Sequence, residues 1–371
     1  MRNAGCHVCN RSTHLVAYVS AHGFGHVGQT APVVQQLMRR VAGLRLTVIS
    51  GVPACKLRER FGPEASILSG DLDVGMRQLN ALEINQQDSW NAYLDFHSSW
   101  DDRLAQEVAR LGELKPDLVL ANIPYLPLAA SHRAGVPAVA MCSLDWASIF
   151  SYYYGSAGPQ ASAILHVMLA AYRSAIRFLR LEPAIAMPHL DNTMAIAPVA
   201  DTGTNRRAEI ISRIRARRDE VLVMVSLGGM EFRPPVEKWP EALGVQLIVP
   251  ASWKADHPDI VAFEDLNMSF IDALASCDVL VAKPGYGSFV EAAHHGLPVL
   301  YVERRNWPES DDIISWMRDH GVCARLEPAL LNSGKILKPI RELLARPRRR
   351  CELPLGVDEA AAFLADCLEG R

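Results

Sequence analysis

Between Asp278 and Arg304 the chain reads DVLVAKPGYGSFVEAAHHGLPVLYVER, and few folds accept that order of residues. DVLVA is an apolar run of strand length. Gly285 and Gly287 make a tight turn, a helical stretch follows with Ser288 expected to cap it, and Gly296-Leu297-Pro298 ends it before a second apolar strand. Strand, turn, helix and strand in so short a length make a parallel crossover unit. Its turn presents unpaired backbone N–H groups at a helix N-terminus, where a phosphate is stabilised. Glu291 follows one turn into the helix, and a carboxylate there can accept hydrogen bonds from the paired hydroxyls of a ribose. The segment reads as a cradle for a nucleoside diphosphate.

The rest of the chain repeats the alternation. Apolar strand-length runs occur at 14–21, 44–50, 117–122, 137–143 and 194–199, and again at 221–229 and 245–251. Two shorter elements are expected within 53–70, and helices at 27–41, 88–114, 160–180, 311–320 and 358–369. With 371 residues, two domains are expected. The pattern gives an α/β fold with a first domain over 14–205 and a second, which holds the nucleotide cradle, over 206–355. A disordered leader over 1–13 precedes them. A C-terminal helix, 356–371, is free to pack back on the first domain. The apolar pattern breaks at ADTGTNRR, near the expected boundary.

Net charge is −3, which gives no reason to expect a nucleic acid as partner. No run reaches the ~20 apolar residues that a membrane helix needs. The N-terminal residues lack the apolar stretch of a signal peptide, so a cytoplasmic protein is expected. Cys55, Cys142, Cys277, Cys323, Cys351 and Cys367 are scattered, as free thiols buried in a reducing compartment would be. Cys6 and Cys9 form a C-x-x-C without further ligands nearby, so no metal site is expected.

A second glycine turn follows the first strand: Ser20-Ala21-His22-Gly23-Phe24-Gly25-His26-Val27-Gly28. Its G-x-G-x-x-G spacing is that of a dinucleotide fingerprint. NAD(P) binding would also need an acidic residue at the end of the next strand, and that strand ends Ile49-Ser50-Gly51-Val52-Pro53. His22 and His26 flank the turn instead. An imidazole facing a cleft can take a proton from a hydroxyl, because its ordinary pKa lies near 6.5 (roughly). The bland alternative is a histidine that caps the helix or packs the loop.

HGFGH opening a helix, followed far downstream by KPGYGSFVEAAHHGLPVLYVER, resembles the GT-B glycosyltransferases. The resemblance is above all to the glycosyltransferase-like domain of plant arabinokinases, and more distantly to the family 28 enzymes typified by the N-acetylglucosaminyl transferase of peptidoglycan synthesis. It extends through DLDVGMRQLNALEIN, SLDWASIFSYY and FIDALASCDVLVAKPGYGS. It implies two Rossmann-like parallel-sheet domains facing a cleft, with a nucleotide-sugar donor on the C-terminal side and an acceptor on the N-terminal side. Such enzymes typically need no metal or other cofactor. Carried over by motif, Gly228 and Gly229 lie near the donor diphosphate; Gly285, Tyr286, Gly287 and Ser288 form the second phosphate turn; and Glu291 holds the ribose. His26 lies near the reaction centre, with His22 as the second candidate base. Glu309 stands where a residue contacting the sugar is expected, although the surrounding Asn306–Asp311 lacks the usual Gln and Asn.

The remaining candidates come from the residues themselves. Lys283 is the favoured cation for the departing diphosphate, and Arg304 the second. Gly23, Phe24, Gly25, Asp73 and Asp145 are the acceptor-side candidates, the two aspartates either orienting the base and reading a hydroxyl or serving the structure alone. Trp146 and 152–154 offer an aromatic platform or else fill a core or interface, and His294 and His295 read as packing or surface residues. The function expected is transfer of a sugar from a nucleoside-diphosphate donor, UDP first, to an acceptor hydroxyl, with inversion. A nucleotide-sugar 2-epimerase and a non-catalytic sugar-nucleotide sensor are the alternatives. No Walker A or kinase glycine loop occurs, so kinase activity is not implied. The sugar, the acceptor and the oligomeric state stay open.

Overall fold

The computed structural model describes residues 13–370, apart from 71, 81, 229–232, 241–242 and 305. Gly229, Cys6 and Cys9, and the expected leader up to residue 12, lie outside the described residues.

Strands β1 (His14–Val19), β2 (Arg45–Ser50), β3 (Ser66–Ser69), β4 (Leu118–Asn122), β5 (Ala138–Cys142), β6 (Phe178–Leu181) and β7 (Thr193–Ile196) form one sheet in the order 3-2-1-4-5-6-7. Strands β8 (Leu222–Ser226), β9 (Gln246–Val249), β10 (Ile260–Ala262), β11 (Val279–Ala282), β12 (Val299–Tyr301) and β13 (Cys323–Arg325) form a second, ordered 10-9-8-11-12-13. Every pairing in both sheets is parallel. The strands are continuous apolar runs because helices cover both faces of each sheet. Alternation along β1 shows how the faces divide. Leu15, Ala17 and Val19 enter one hydrophobic cluster, and Val16 and Tyr18 enter another. A valine or leucine side chain so buried is worth about 1.5–3 kcal/mol.

The first cluster is shared between the halves. It takes Leu15 from β1, Leu280 from β11, Val34 from the helix Gly25–Arg40 and Phe289 from the helix Tyr286–His295. Leu364 of the last helix, Val357–Glu369, joins the same cluster. That helix packs on Gly25–Arg40, where Asp358 accepts from Gln36 and Arg40.

Some elements differ from the sequence pattern. The helix expected over 160–180 stops at Arg173, and Phe178–Leu181 is a strand, because FLRL fills the sheet beside β5. The long helical stretch is two helices, Gln86–Ser98 and Trp100–Leu114, broken at Ser99. Ser288 does not cap its helix. Gly285 is the cap residue and Ser288 lies within the first turn. Cys142, Cys277, Cys323 and Cys351 are buried as expected, whereas Cys55 is exposed.

Candidate active site between the two sheets

Strand order reverses between β1 and β4 in one sheet and between β8 and β11 in the other. At such a switch point the following helices leave to opposite faces, and a crevice opens beyond the strand ends. Both candidate glycine turns sit there, one after β1 and one after β11.

On the N-terminal side the turn after β1 uses Gly23 at φ +105°, a backbone conformation that favours glycine. Phe24 at its tip is exposed, and Gly25 starts the helix. His26 is thereby fixed in the helix's first turn, where it is 8% exposed. Its Nδ1 lies 2.9 Å from Oδ1 of Asn122, the last residue of β4. Burial holds the imidazole below its ordinary pKa; the Asn122 hydrogen bond and Asp73 oppose the shift, and His22 adds to it.

His22 and Asp73 stand beside this pair. Nε2 of His22 is 3.7 Å from Oδ1 of Asp73, while Oδ2 of Asp73 accepts from the Trp146 indole at 2.7 Å. Trp146 meets the His22 ring edge-on with centroids 5.5 Å apart, and the His26 ring at 6.1 Å. The structure thus gathers His22, His26, Asp73 and Trp146 into one group. Asp145 is not part of it. Its Oδ1 accepts from the backbone N–H of Ser148 at 2.7 Å, capping the helix Trp146–Tyr154, and the residue is fully buried. Of the expected platform, Trp146 and Tyr154 are buried and Tyr152 is exposed, while Tyr153 donates to the Asn306 carbonyl.

On the C-terminal side Gly228 follows β8 at φ +92°. A Cβ added there would stand 2.8 Å from Cε and 3.0 Å from Nζ of Lys283, so the glycine makes room for the lysine. Burial, helped by Arg304, pushes the Lys283 ammonium down to about 8, while Glu309 opposes. Arg304 is 7% exposed and its guanidinium stacks 3.8 Å from the Trp307 ring centroid. Its Nε and Nη2 are buried without a hydrogen-bond partner, and burial pushes the group down to about 10. Gly285 and Gly287 leave the helix start open: no side chain lies within 4 Å of a Cβ built on either.

Tyr286 differs from its neighbours in that turn. Its hydroxyl donates to the Glu182 carbonyl at 3.0 Å and accepts from the Val199 N–H at 2.8 Å, so the ring anchors the chain leaving the first sheet. Glu291 is partly buried. Burial and Asp201 push its carboxyl up to about 8, against Arg60, which itself pairs with Asp201. His294 is buried, with its ring nitrogens on the carbonyls of Val290 and Leu353. Among the described residues no group of three or more His, Cys, Asp or Glu is placed to hold a metal ion.

Glu309 begins the helix Glu309–His320 and joins the two sides. Its Oε1 accepts from the Ser143 hydroxyl at 2.7 Å and its Oε2 from the Trp307 indole at 3.2 Å. Both carboxylate oxygens are therefore engaged by protein groups.

No protein-family model matches the chain. A stretch of 298 residues, 79% of the chain, is 25% identical to L-arabinokinase of Arabidopsis thaliana, and the match spans only 28% of that protein's length. An NDP-glycosyltransferase of Bacillus licheniformis, YjiC, is 21% identical over 408 residues, covering 95% of this chain and 98% of the relative. Among solved structures, the calicheamicin glycosyltransferase CalG4 superposes with a TM-score of 0.60 at 17% identity, over 97% of this chain and 95% of that one. Medicago truncatula UGT71G1, complexed with UDP-glucose, gives a TM-score of 0.58 at 12% identity, over 96% and 94%. The chain has the GT-B fold.

Within this GT-B fold, three polar residues at the cleft escaped the sequence reading: Asn122, Ser143 and Gln29. Asn122 ends β4 and Ser143 follows β5, the strand ends where parallel sheets place their sites. Gln29 lies three residues after His26 on the same helix face. Nδ2 of Asn122 donates to Oε1 of Gln29 at 3.1 Å, and Nε2 of Gln29 donates to Oγ of Ser143 at 2.9 Å.

Proposed function

We propose that the protein is a glycosyltransferase that moves a sugar from a nucleoside-diphosphate donor, with UDP the first candidate, to an acceptor hydroxyl, inverting the anomeric centre without a metal ion. The observation that carries this reading is Arg304. A buried guanidinium with two unpartnered nitrogen atoms, close enough to Lys283 to lower its pKa, is costly unless an anion completes the site. The open helix N-terminus at Gly285 and the Lys283 side chain lying against Gly228 border the same place. A diphosphate fits that combination of cations and backbone donors. The names of the relatives, an NDP-glycosyltransferase and a protein complexed with UDP-glucose, agree with it.

In this reading Glu291 takes the ribose hydroxyls and His26 is the base, with His22 close by. Burial keeps the His26 imidazole neutral at pH 7, and Asn122 occupies Nδ1, so Nε2 is the atom left to receive the acceptor proton. As that proton moves to Nε2, the acceptor oxygen bonds to the anomeric carbon. The bond from that carbon to the diphosphate oxygen breaks, and the electron pair leaves with the diphosphate. Lys283, Arg304 and the helix end stabilise the charge that develops there, strongly so in a cleft closed to water.

The test is a donor screen on the purified protein, reading diphosphate release and UDP-dependent thermal stabilisation. UDP raises the melting temperature, and Glu291→Ala removes the rise. Absence of a shift with every nucleoside diphosphate overturns the reading. Isomerisation of a nucleotide sugar with no acceptor present would identify an epimerase instead, and binding without turnover a sensor.

A further inference from the structure

We propose that Ser143 and Glu309 are positioning residues which, through Gln29 and Asn122, fix the proton of His26 on Nδ1 from across the cleft. The inference rests on His26 being the base of the proposed reaction, but its geometry stands alone.

Four hydrogen bonds link the histidine to the opposite domain: His26 Nδ1 to Asn122 Oδ1 at 2.9 Å, Asn122 Nδ2 to Gln29 Oε1 at 3.1 Å, Gln29 Nε2 to Ser143 Oγ at 2.9 Å, and Ser143 Oγ to Glu309 Oε1 at 2.7 Å. All five side chains are buried. Each amide has one accepting and one donating end, and the serine hydroxyl has one proton, so the bonds must all run in the same sense. The far end decides which sense. An ionised carboxylate only accepts, so Ser143 must donate to it. Its oxygen then receives Gln29, Gln29 receives Asn122, and Asn122 receives the Nδ1 proton of His26. Reversal would need a proton on Oε1 of Glu309. The Trp307 indole, a donor only, occupies Oε2; burial pushes the Glu309 carboxyl up, Asp312 adds to that, and the hydrogen bonds from Ser143 and Trp307 together with Arg304 hold it toward the ionised form.

Cys142 Sγ is a second partner of Nδ1 at 3.7 Å; burial pushes its thiol up and keeps it neutral, and a thiol is only a weak donor or acceptor beside the Asn122 amide at 2.9 Å. Asp73 is committed to Trp146 and His22. The tautomer of His26 is thus set by a carboxylate of the opposite domain, and of the four hydrogen bonds in the series the one that joins the two domains is Ser143 to Glu309.

The test reads the ring nitrogens directly, without any substrate. Protein labelled with 15N-histidine is examined by long-range 1H–15N correlation, and the His26 signals are identified by their loss in His26→Gln. In the wild type at neutral pH we expect a protonated Nδ1 and an unprotonated Nε2. Ser143→Ala and Glu309→Gln should give the other tautomer or a mixture, and Ser143→Thr, which keeps the hydroxyl, should retain the wild-type pattern. Gln29→Met is a second break in the chain if Ser143→Ala does not fold. In transfer assays Ser143→Ala should lower kcat by about tenfold or more with donor KM nearly unchanged, the pattern of a group felt in the transition state, and Ser143→Thr should restore it. A wild-type Nε2–H tautomer, or one unmoved by both breaks, overturns the proposal. A protein that turns over no donor yet shows the expected tautomers would sink the transferase reading and leave the linkage standing.

Discussion

Oδ1 of Asn122 lies 2.9 Å from Nδ1 of His26, so a neutral amide, not a carboxylate, backs the imidazole. An amide orients the ring but adds no charge to favour imidazolium. Burial is left as the largest influence, and it holds the pKa below its ordinary value.

Replacing that amide with a carboxylate should move the pH dependence. In Asn122→Asp the new charge favours imidazolium and raises the His26 pKa, by about one unit or more for an opposite charge at this range. A base works only when neutral, so the acid limb of kcat/KM should shift to higher pH, with little change on the plateau. An unmoved limb would show that His26 is not the titrating base.

Lys283 gives a second pH signature, at the alkaline end. Its ammonium is pushed down to about 8 in the free protein, and a bound diphosphate restores it. UDP affinity should be level near pH 7 and fall by about tenfold per unit above 8, with proton uptake on binding visible by calorimetry at pH 8.5. Lys283→Met should weaken binding by about tenfold or more, the loss of a charge-assisted hydrogen bond, and flatten the slope.

Glu291 should trade stability for binding. Burial and Asp201 push its carboxyl from 4.5 up to about 8. The folded protein therefore keeps a proton that the unfolded chain sheds. Stability from that proton is complete below the unfolded pKa and is lost as pH rises through the folded one. Glu291→Gln escapes the loss. Its melting temperature should match the wild type near pH 4.5 and exceed it by a few degrees at pH 8, while UDP binding weakens. A variant less stable than the wild type at pH 8 would contradict this account.

Gly356 joins the last helix to the first domain. A Cβ there would stand 2.2 Å from the Ala197 carbonyl oxygen, with φ an ordinary −78°. The objection to a side chain is contact alone. Gly356→Ala should cost about 1–3 kcal/mol, as overpacking does, and hydrogen exchange should quicken across Val357–Glu369. Gly112, in the helix Trp100–Leu114 with open space around it, is the control, and Ala there should gain up to about 1 kcal/mol.

Much of this was legible in the sequence. Parallel strands buried on both faces read as plain apolar runs, so β1, β4, β5, β8 and β11 stood out. Short strands such as β10 and β13, three residues each, carry no such period. His26, Lys283, Arg304 and Glu291 were visible because charged or titratable groups beside glycine turns are unusual. Asn122 and Ser143 were not, since a neutral polar residue at the end of an apolar run looks like a strand terminus. Asp145 could be read as a site residue or a structural one, and it is a helix cap. Sequence shows that a carboxylate is present, while only the fold shows which N–H group it faces.

Beyond the hydrogen bonds, each half gives an apolar side chain to the other. Trp307 packs in the cluster of Val16, Tyr18 and Trp146, and Leu82 packs against the cluster of Val223, Val225 and Leu243. The halves are therefore fitted to each other, not merely hinged. A chimera that took its donor half from another GT-B protein would leave one socket empty and one plug exposed. Recombining specificities in this scaffold would mean transplanting the Trp307 and Leu82 contacts together with the sugar site.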